Sequence, residues 1–320
     1  MKYRNLGRAG IKVSTLALGG WTTFGDSVKD RATVRNVIGA ARDRGVNFFD
    51  MADAYARGES ERMMGEALKP FPRHTLVLSS KLFRPMSDDV NDRGLSRKHI
   101  MEAVDKSLAR IGTDYLDLYF CHRDDPETPV EETVRAMDDL VHAGKILYWG
   151  TSEWPVAKIE EALSIAGSSL YRPAVEQSQY NLLSRERIER DLGDLVGKHG
   201  LGLTIYGPLA SGLLTGKYDG GVPEGSRLSR LAAQRDQWYR EELVERVRRF
   251  KRVADDLGAT RSEVALAWLL GRPGVSSVIT GAVTVEQLET NLKAVDLALP
   301  DAALVAIDGI FPPAAPRHPA

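Results

Sequence analysis

Two rhythms of apolar and polar positions alternate along this chain. Short apolar runs bounded by polar or turn residues read as strands covered on both faces. Between them lie stretches whose apolar residues recur every three or four positions, the pattern of helices with one buried face. The runs predict strands at 14–20, 46–49, 75–80, 115–121, 145–150, 174–177, 203–206 and 275–280. Residues 3–14 read as a small hairpin turning at Arg8-Ala9-Gly10. Asp30 caps a helix in which Val34, Val37, Ile38 and Ala41 share a face, and Gly45 stops it. Further helices follow at 59–69, closed by Pro70, and after Ser96, with Ile100, Ala103, Val104 and Leu108 inward. Others fall at 130–143, at 155–166 with Pro155 in its first turn, at 184–199, 239–257 and 261–270, and at 285–297 behind Thr284. Residues 82–95 and the glycine-rich stretch 207–237 read as long loops, and 311–320 as a loose tail.

Strand ends fall at residues 20, 50, 81, 122, 152, 177, 206 and 280. Repetition of this strand–helix unit predicts an α/β fold of the (β/α)8 TIM-barrel type, one domain over 1–320 with an N-terminal hairpin over 1–14 and long loops at the C-terminal mouth. The runner-up is an open doubly wound sheet. It wants G-x-G-x-x-G after the first strand, and Gly19-Gly20-Trp21-Thr22-Thr23-Phe24-Gly25 does not match.

Composition narrows the setting. The 320 residues, 43% of them hydrophobic, suffice for a large core. Lys and Arg number 43 against 44 Asp and Glu, a net charge of −1 that calls for neither nucleic acid nor an acidic membrane surface. Cys121 is the one cysteine, so no internal disulfide forms, which fits a reducing compartment. The first residues lack a signal peptide's apolar core. No apolar run approaches the ~20 residues of a membrane span. A soluble, cytoplasmic protein is expected.

The candidate chemistry sits at the strand ends. Asp50 closes one run and Tyr55 follows five residues later; Lys81 and His122 close two others. In a barrel such positions share one mouth. Tyr55 is a weak acid of reference pKa ~10. Lys81, fixed by Asp50, is expected to lower that value, and His122 to donate to the same substrate oxygen. Together they imply proton delivery to a carbonyl oxygen. Taken singly, each has a plain structural reading: a core tyrosine, a buried ion pair, a hydrogen-bonded histidine. His122 with Asp124 and Asp125 suggests a metal site, but the other histidines fall in helices, turns or the tail, so no metal is expected. His122-Arg123-Asp124 mimics a kinase motif, but Pro129 stands where that motif wants Asn.

These residues resemble the aldo-keto reductase superfamily over nearly the whole chain, from Leu6-Gly7-Arg8 to Gln287-Leu288-Glu289. The specific pieces are Asp50-Met51-Ala52-Asp53-Ala54-Tyr55, the spacings of Lys81 and His122, Gly150-Thr151-Ser152, and Gln177-Ser178-Gln179-Tyr180-Asn181. Thr128-Pro129-Val130-Glu131-Glu132-Thr133 and Ser211-Gly212-Leu213-Leu214-Thr215-Gly216-Lys217-Tyr218 are similar to the branch of bacterial reductases and voltage-gated potassium channel β subunits. The resemblance implies NADP(H) extended across the mouth, with Asp50, Tyr55, Lys81 and His122 as a catalytic tetrad.

By the same resemblance Gly20, Trp21 and Asp50 fall at cofactor positions. Ser152 and Gln177 hold the nicotinamide carboxamide, and Tyr206, where the channel subunits carry Trp, stacks on the ring. Gly207, Pro208, Leu209 and Ser211 follow the pyrophosphate. Lys217, Arg227, Gly281, Gln287 and Asn291 lie near the adenosine and its 2′-phosphate. Glu153, Val283 and Thr290 depart from the family pattern. The substrate pocket is expected to comprise Trp21, Tyr55, Phe83, His122 and Trp154, which suits apolar or aromatic carbonyls. The expected partner is a small carbonyl substrate, with homo-oligomerisation open. A cofactor-binding, redox-sensing regulatory subunit is the alternative. The channel subunits usually carry Asn at the position of His122, which favours the enzyme. A third reading, a cofactor-free barrel isomerase or lyase, is weakened by the lack of a metal cluster. The loop 207–237, with its glycines and its two cations, is expected to close over the cofactor.

Overall fold

The structure is a computed structural model that describes residues 1–315. Two short antiparallel strands, β1 (Tyr3–Asn5) and β2 (Lys12–Ser14), form the hairpin. Eight parallel strands then close a barrel: β3 (Leu16–Gly19), β4 (Phe48–Asp50), β5 (Val77–Leu82), β6 (Leu116–Cys121), β7 (Ile146–Ser152), β8 (Val175–Gln179), β9 (Gly202–Tyr206) and β10 (Val275–Thr280). They pair in chain order, and β10 closes the ring onto β3. The fold is the (β/α)8 barrel that the strand–helix repeat predicts.

Strand periodicity places the chemistry. Successive side chains alternate between faces, and the registers Phe48↔Val77 and Asp50↔Ser79 align one face of neighbouring strands. Phe48, Val77, Leu118, Phe120 and Val175 belong to a small core enclosed by the strands. Two residues further along the same faces come Asp50, Ser79 and then Lys81, His122, and Gln177. The polar groups thus top an apolar plug. Gly150 leaves space inside this ring: a Cβ there would lie 2.4 Å from Val175 Cγ1. At the opposite end the hairpin is fastened by Arg4, which donates to the carbonyls of Val275 (2.7 Å) and Leu270 (2.6 Å). The larger core lies between strands and helices.

Helix starts follow the capping chemistry. Asp30 accepts from the Ala32 and Thr33 amides, Ser96 from His99, and Thr284 from Gln287. Thr260 and Glu263 form a full capping box.

Three expectations are corrected. The stretch 207–237 is not simply a loop: it holds helices at Arg227–Arg230 and Ala232–Trp238, and Leu213, Leu214, Tyr218, Leu228 and Trp238 are buried. Those apolar residues anchor a segment whose glycines suggested mobility throughout. The tail is not loose from 311, because Phe311 is buried edge-on against Phe250 and its carbonyl accepts from Arg185 at 2.6 Å. Residues 316–320 of that tail lie outside the described residues. A helix at Asp301–Ile310, starting after Pro300 and burying Ala303 and Ile307, was also missed. Among the described residues no helix is long and apolar enough to cross a membrane.

Candidate active site

A cleft of about 1750 Å³ opens at the C-terminal mouth. At its inner end Lys81 Nζ lies 2.6 Å from Asp50 Oδ2 and donates to the Met51 carbonyl at 2.7 Å. Asp50 Oδ1 also accepts from Ser79 Oγ (2.7 Å) and Gln177 Nε2 (3.1 Å). Three strands, β4, β5 and β8, therefore hold one carboxylate. Lys81 is fully buried beneath the cleft rather than lining it. Its Nζ sits 5.0 Å from the centre of the Tyr55 ring, which meets the His122 ring edge-on at 5.9 Å.

The electrostatics revise the expected tuning. Burial, and then the negative charge of Asp50, push the Tyr55 phenol well above its ordinary value. The sequence reading has Lys81 lowering it. Instead the ammonium is engaged by Asp50, and burial draws the Lys81 value down. Tyr55 accordingly keeps its proton at neutral pH. Burial, with Lys81, Arg123 and Arg84 nearby, holds His122 well below its usual range, so the imidazole is neutral. Its Nδ1 is buried without a hydrogen-bond partner among the described residues.

The loops carrying these groups are strained. Among the described residues the non-glycine positions with positive φ are Thr22, Ala56, Arg57, Phe83, Glu153, Ala210 and Ser211. Every one follows the C-terminal end of a barrel strand. Strain of this kind collects where surrounding structure over-determines a functional geometry.

Most sequence-expected site residues line this cleft. Trp21, Asp50, Tyr55, His122, Ser152, Gln177 and Tyr206 lie along it, as do Gly207, Pro208, Leu209 and Ser211. Lys217, Arg227, Gly281, Gln287 and Asn291 complete its far end. Besides Lys81 beneath the cleft, three others do not line it. Gly20 faces the helix Glu59–Leu68: a Cβ there would lie 2.2 Å from Ser60 Oγ, so this glycine serves packing, and Gly19 lines the cleft instead. Phe83, at φ 137°, is half-buried against the core, and its neighbour Arg84 reaches the cleft. Trp154 is buried in the core after the reversal at Glu153 (φ 56°). The apolar pocket inferred from those two rings is therefore not built.

The chemistry of the donor set bears on the cofactor. Ser211 and Gly212 adopt positive φ in the turn at 210–215, and Asn181 Nδ2 holds the Gly207 carbonyl at 2.9 Å. Lys217 and Arg227 have no carboxylate within ion-pair distance among the described residues, and burial lowers the Arg227 value. Arg227 instead lies 5.9 Å over the Trp21 ring. Two cations without anionic partners at the end of a long cleft fit a phosphorylated dinucleotide. Asn291 is 6% exposed, not part of a solvated helix face, whereas Gln287 is exposed.

Arg123 was missed. It follows His122 directly, and its Nη1 donates to the His122 carbonyl (2.5 Å) and to Ser152 Oγ (3.3 Å). The sequence signal was adjacency to a strand-end candidate; the surrounding aspartates and proline marked only a turn.

Behind the site lies an unusual acid. Asp53 is fully buried, and among the described residues no side chain donates a hydrogen bond to either of its oxygens. Its neighbour Glu61 is paired with Arg110 (2.5 Å) and Ser80 (2.6 Å). Burial, then the Glu61 charge, push Asp53 up to about 8. The folded protein thus binds this proton where the unfolded chain has released it. Its stabilising effect is complete below the unfolded value near 4 and is lost as pH rises to about 8, at up to about 1.4 kcal/mol per pH unit. Asp53→Asn should flatten the decline in stability between pH 5 and 8, read by denaturant unfolding at several pH values. An unchanged slope would mean that Asp53 is ionised in the native state.

Fold and site together define a parallel α/β barrel whose acid–base side chains gather at the mouth of a long cleft. The chain belongs to the aldo/keto reductase family, whose sequence model matches residues 15–311. It is 44% identical over 303 residues to a protein from Arabidopsis thaliana named a probable voltage-gated potassium channel subunit beta, covering 93% of this chain and 92% of that one. A relative of the same name from Oryza sativa subsp. japonica is 45% identical with the same coverage. One from Schizosaccharomyces pombe, a putative subunit of that kind, is 44% identical over 92% of this chain and 88% of its own.

Proposed function

We propose that this protein is a cytoplasmic, NADPH-dependent reductase that converts an aldehyde or ketone into an alcohol. The observation that carries the reading is the placement of a protonated phenol, Tyr55, beside a neutral imidazole, His122, at one end of a cleft whose other end holds Lys217 and Arg227. A bound nicotinamide supplies the hydride that reaches the carbonyl carbon. Tyr55 gives its proton to the oxygen, so the C=O bond becomes CH–OH. His122 donates a hydrogen bond to the same oxygen and adds no charge. Asp50 and Lys81 form a fixed base under the phenol, and the apolar plug below them keeps water out. Ser152 and Gln177 would hold the ring amide of such a cofactor, Tyr206 would cover its ring, and residues 207–211 would bind its pyrophosphate.

A second reading rests on the relatives named as channel subunits, 44–45% identical over about nine-tenths of this chain. In it the barrel attaches to a protein partner and its cofactor reports redox state. The test is NADPH absorbance across a panel of aldehydes and ketones, with NADH in parallel. Turnover of none of them by cofactor-loaded protein would turn the assignment toward the regulatory role.

A further inference from the structure

The arginines on one side of the cleft have no anionic partner. Arg57, Arg84 and Arg123 all line it, and none has a carboxylate within ion-pair distance among the described residues. Three carboxylates of the neighbouring segments are committed elsewhere. Asp50 holds Lys81, Ser79 and Gln177. Glu153 pairs with Arg187 (3.1 Å) and accepts the Gln179 amide (2.7 Å). Asp125 accepts from the Leu95 amide and Thr128 Oγ1 at 2.7 and 2.8 Å. The acids that do line the cleft besides Asp50 are Asp26, Glu224 and Glu286. They lie after β3, on the segment after β9, and on the helix after β10, respectively.

Barrel order separates these arginines from the expected phosphate end. Arg84 follows β5 and Arg123 follows β6, and the ring order β10-β3-β4-β5-β6-β7-β8-β9 sets those two strands diametrically across from β9 and β10. Lys217, Arg227, Gln287 and Asn291 all come from loops and helices after β9 and β10. Arg84 and Arg123 are thus opposite the cations suited to the dinucleotide phosphates and adjacent to the proton donors. Arg123 is half-buried, tied to Ser152, and one residue from His122. The charges of Arg84 and Arg123 both act on His122.

We propose that Arg84 and Arg123 form an anion subsite beside Tyr55 and His122, with Arg57 at its outer edge, so that the favoured substrates are short carbonyl compounds carrying a carboxylate or phosphate. The inference rests on the reductase reading and deepens it. The anionic group is unchanged in the reaction: the carbonyl carbon gains a hydride, its oxygen gains the Tyr55 proton, and the guanidinium groups only anchor the far end. A planar fork of donors matches carboxylate and phosphate oxygens in pairs, and a substrate held at both ends presents its carbonyl in one orientation.

The experiment compares kcat/KM for matched pairs: succinic semialdehyde against butanal, and glyceraldehyde 3-phosphate against glyceraldehyde. Wild type should prefer the charged member by roughly tenfold to a hundredfold, a range set by one or two charge-assisted contacts. The larger of the two ratios identifies carboxylate or phosphate. Arg84→Met and Arg123→Met should each lower the charged-to-neutral ratio about tenfold. A wild-type ratio near one, or ratios unchanged in both variants, overturns the proposal while leaving the reductase reading intact. If no carbonyl compound is turned over, the reductase reading fails and the subsite is judged by calorimetry with glutarate. Binding that disappears in Arg84→Met and Arg123→Met upholds the anion site, and absence of binding overturns it.

Discussion

Tyr55→Phe should lower carbonyl turnover by roughly 10²–10⁴ while changing NADPH affinity little. The substitution keeps the ring that packs edge-on to His122 at 5.9 Å and removes only the proton to be transferred. The structure sharpens the expectation. Burial and the Asp50 charge hold the phenol well above its ordinary value, so the acid form persists through neutral pH. The wild-type kcat profile should therefore show no loss of activity through neutral pH from deprotonation of this group. His122, held neutral by burial, cannot replace it, because an imidazole that is already neutral has no ready acidic proton to give. Stopped-flow measurement of single-turnover NADPH oxidation separates chemistry from product release. Near-normal rates in Tyr55→Phe would remove the phenol from the mechanism.

The barrel was legible because its signal is repetition. Each buried strand is a short apolar run, and each run ends on a polar residue that period-2 alternation delivers to one mouth. Asp50, Lys81 and His122 were found in this way, and their strands do bring them to one end of the barrel. What failed to read was everything set by loops. Phe83 and Trp154 look like pocket walls because they follow strand ends. The backbone at Phe83 and at Glu153 adopts positive φ, a reversal that no local pattern announces for non-glycine residues, and both rings turn into packing. Arg84 and Arg123 reach the cleft instead. The sign of the Tyr55 shift was equally hidden. It is set first by burial of the phenol and then by the Asp50 charge, and neither the depth of the ring nor the 2.6 Å pairing of Lys81 with Asp50 is visible in the sequence. The segment 207–237 was misread for a related reason: its glycines are visible in sequence, while the burial of Leu213, Tyr218 and Trp238 that anchors it depends on what the barrel places underneath.

Replacing both Lys217 and Arg227 with Ala should weaken NADPH more than a hundredfold and leave NADH almost untouched. Each charge-assisted contact to a phosphate contributes roughly 1.5–3 kcal/mol, and two such contacts multiply. Neither cation has a carboxylate within ion-pair distance among the described residues, so removing them frees no buried anion and breaks no ion pair that the fold needs. Arg227 is the more telling of the two. It is half-buried, and a methyl group at Gly281 would lie only 3.6 Å from its Nη2, which sets the guanidinium beside the start of the helix Val285–Lys293. Lys217 is exposed, with its ammonium 5.0 Å from the centre of the Tyr218 ring. Its contact is screened by salt, so the single Lys217→Ala loss should shrink as ionic strength rises, while the Arg227→Ala loss should persist. Fluorescence titration of both cofactors against the single and double variants, at low and high salt, reads all of these outcomes. Equal weakening of NADPH and NADH in the double variant would place the 2′-phosphate on other residues and leave these two cations gripping the part the cofactors share.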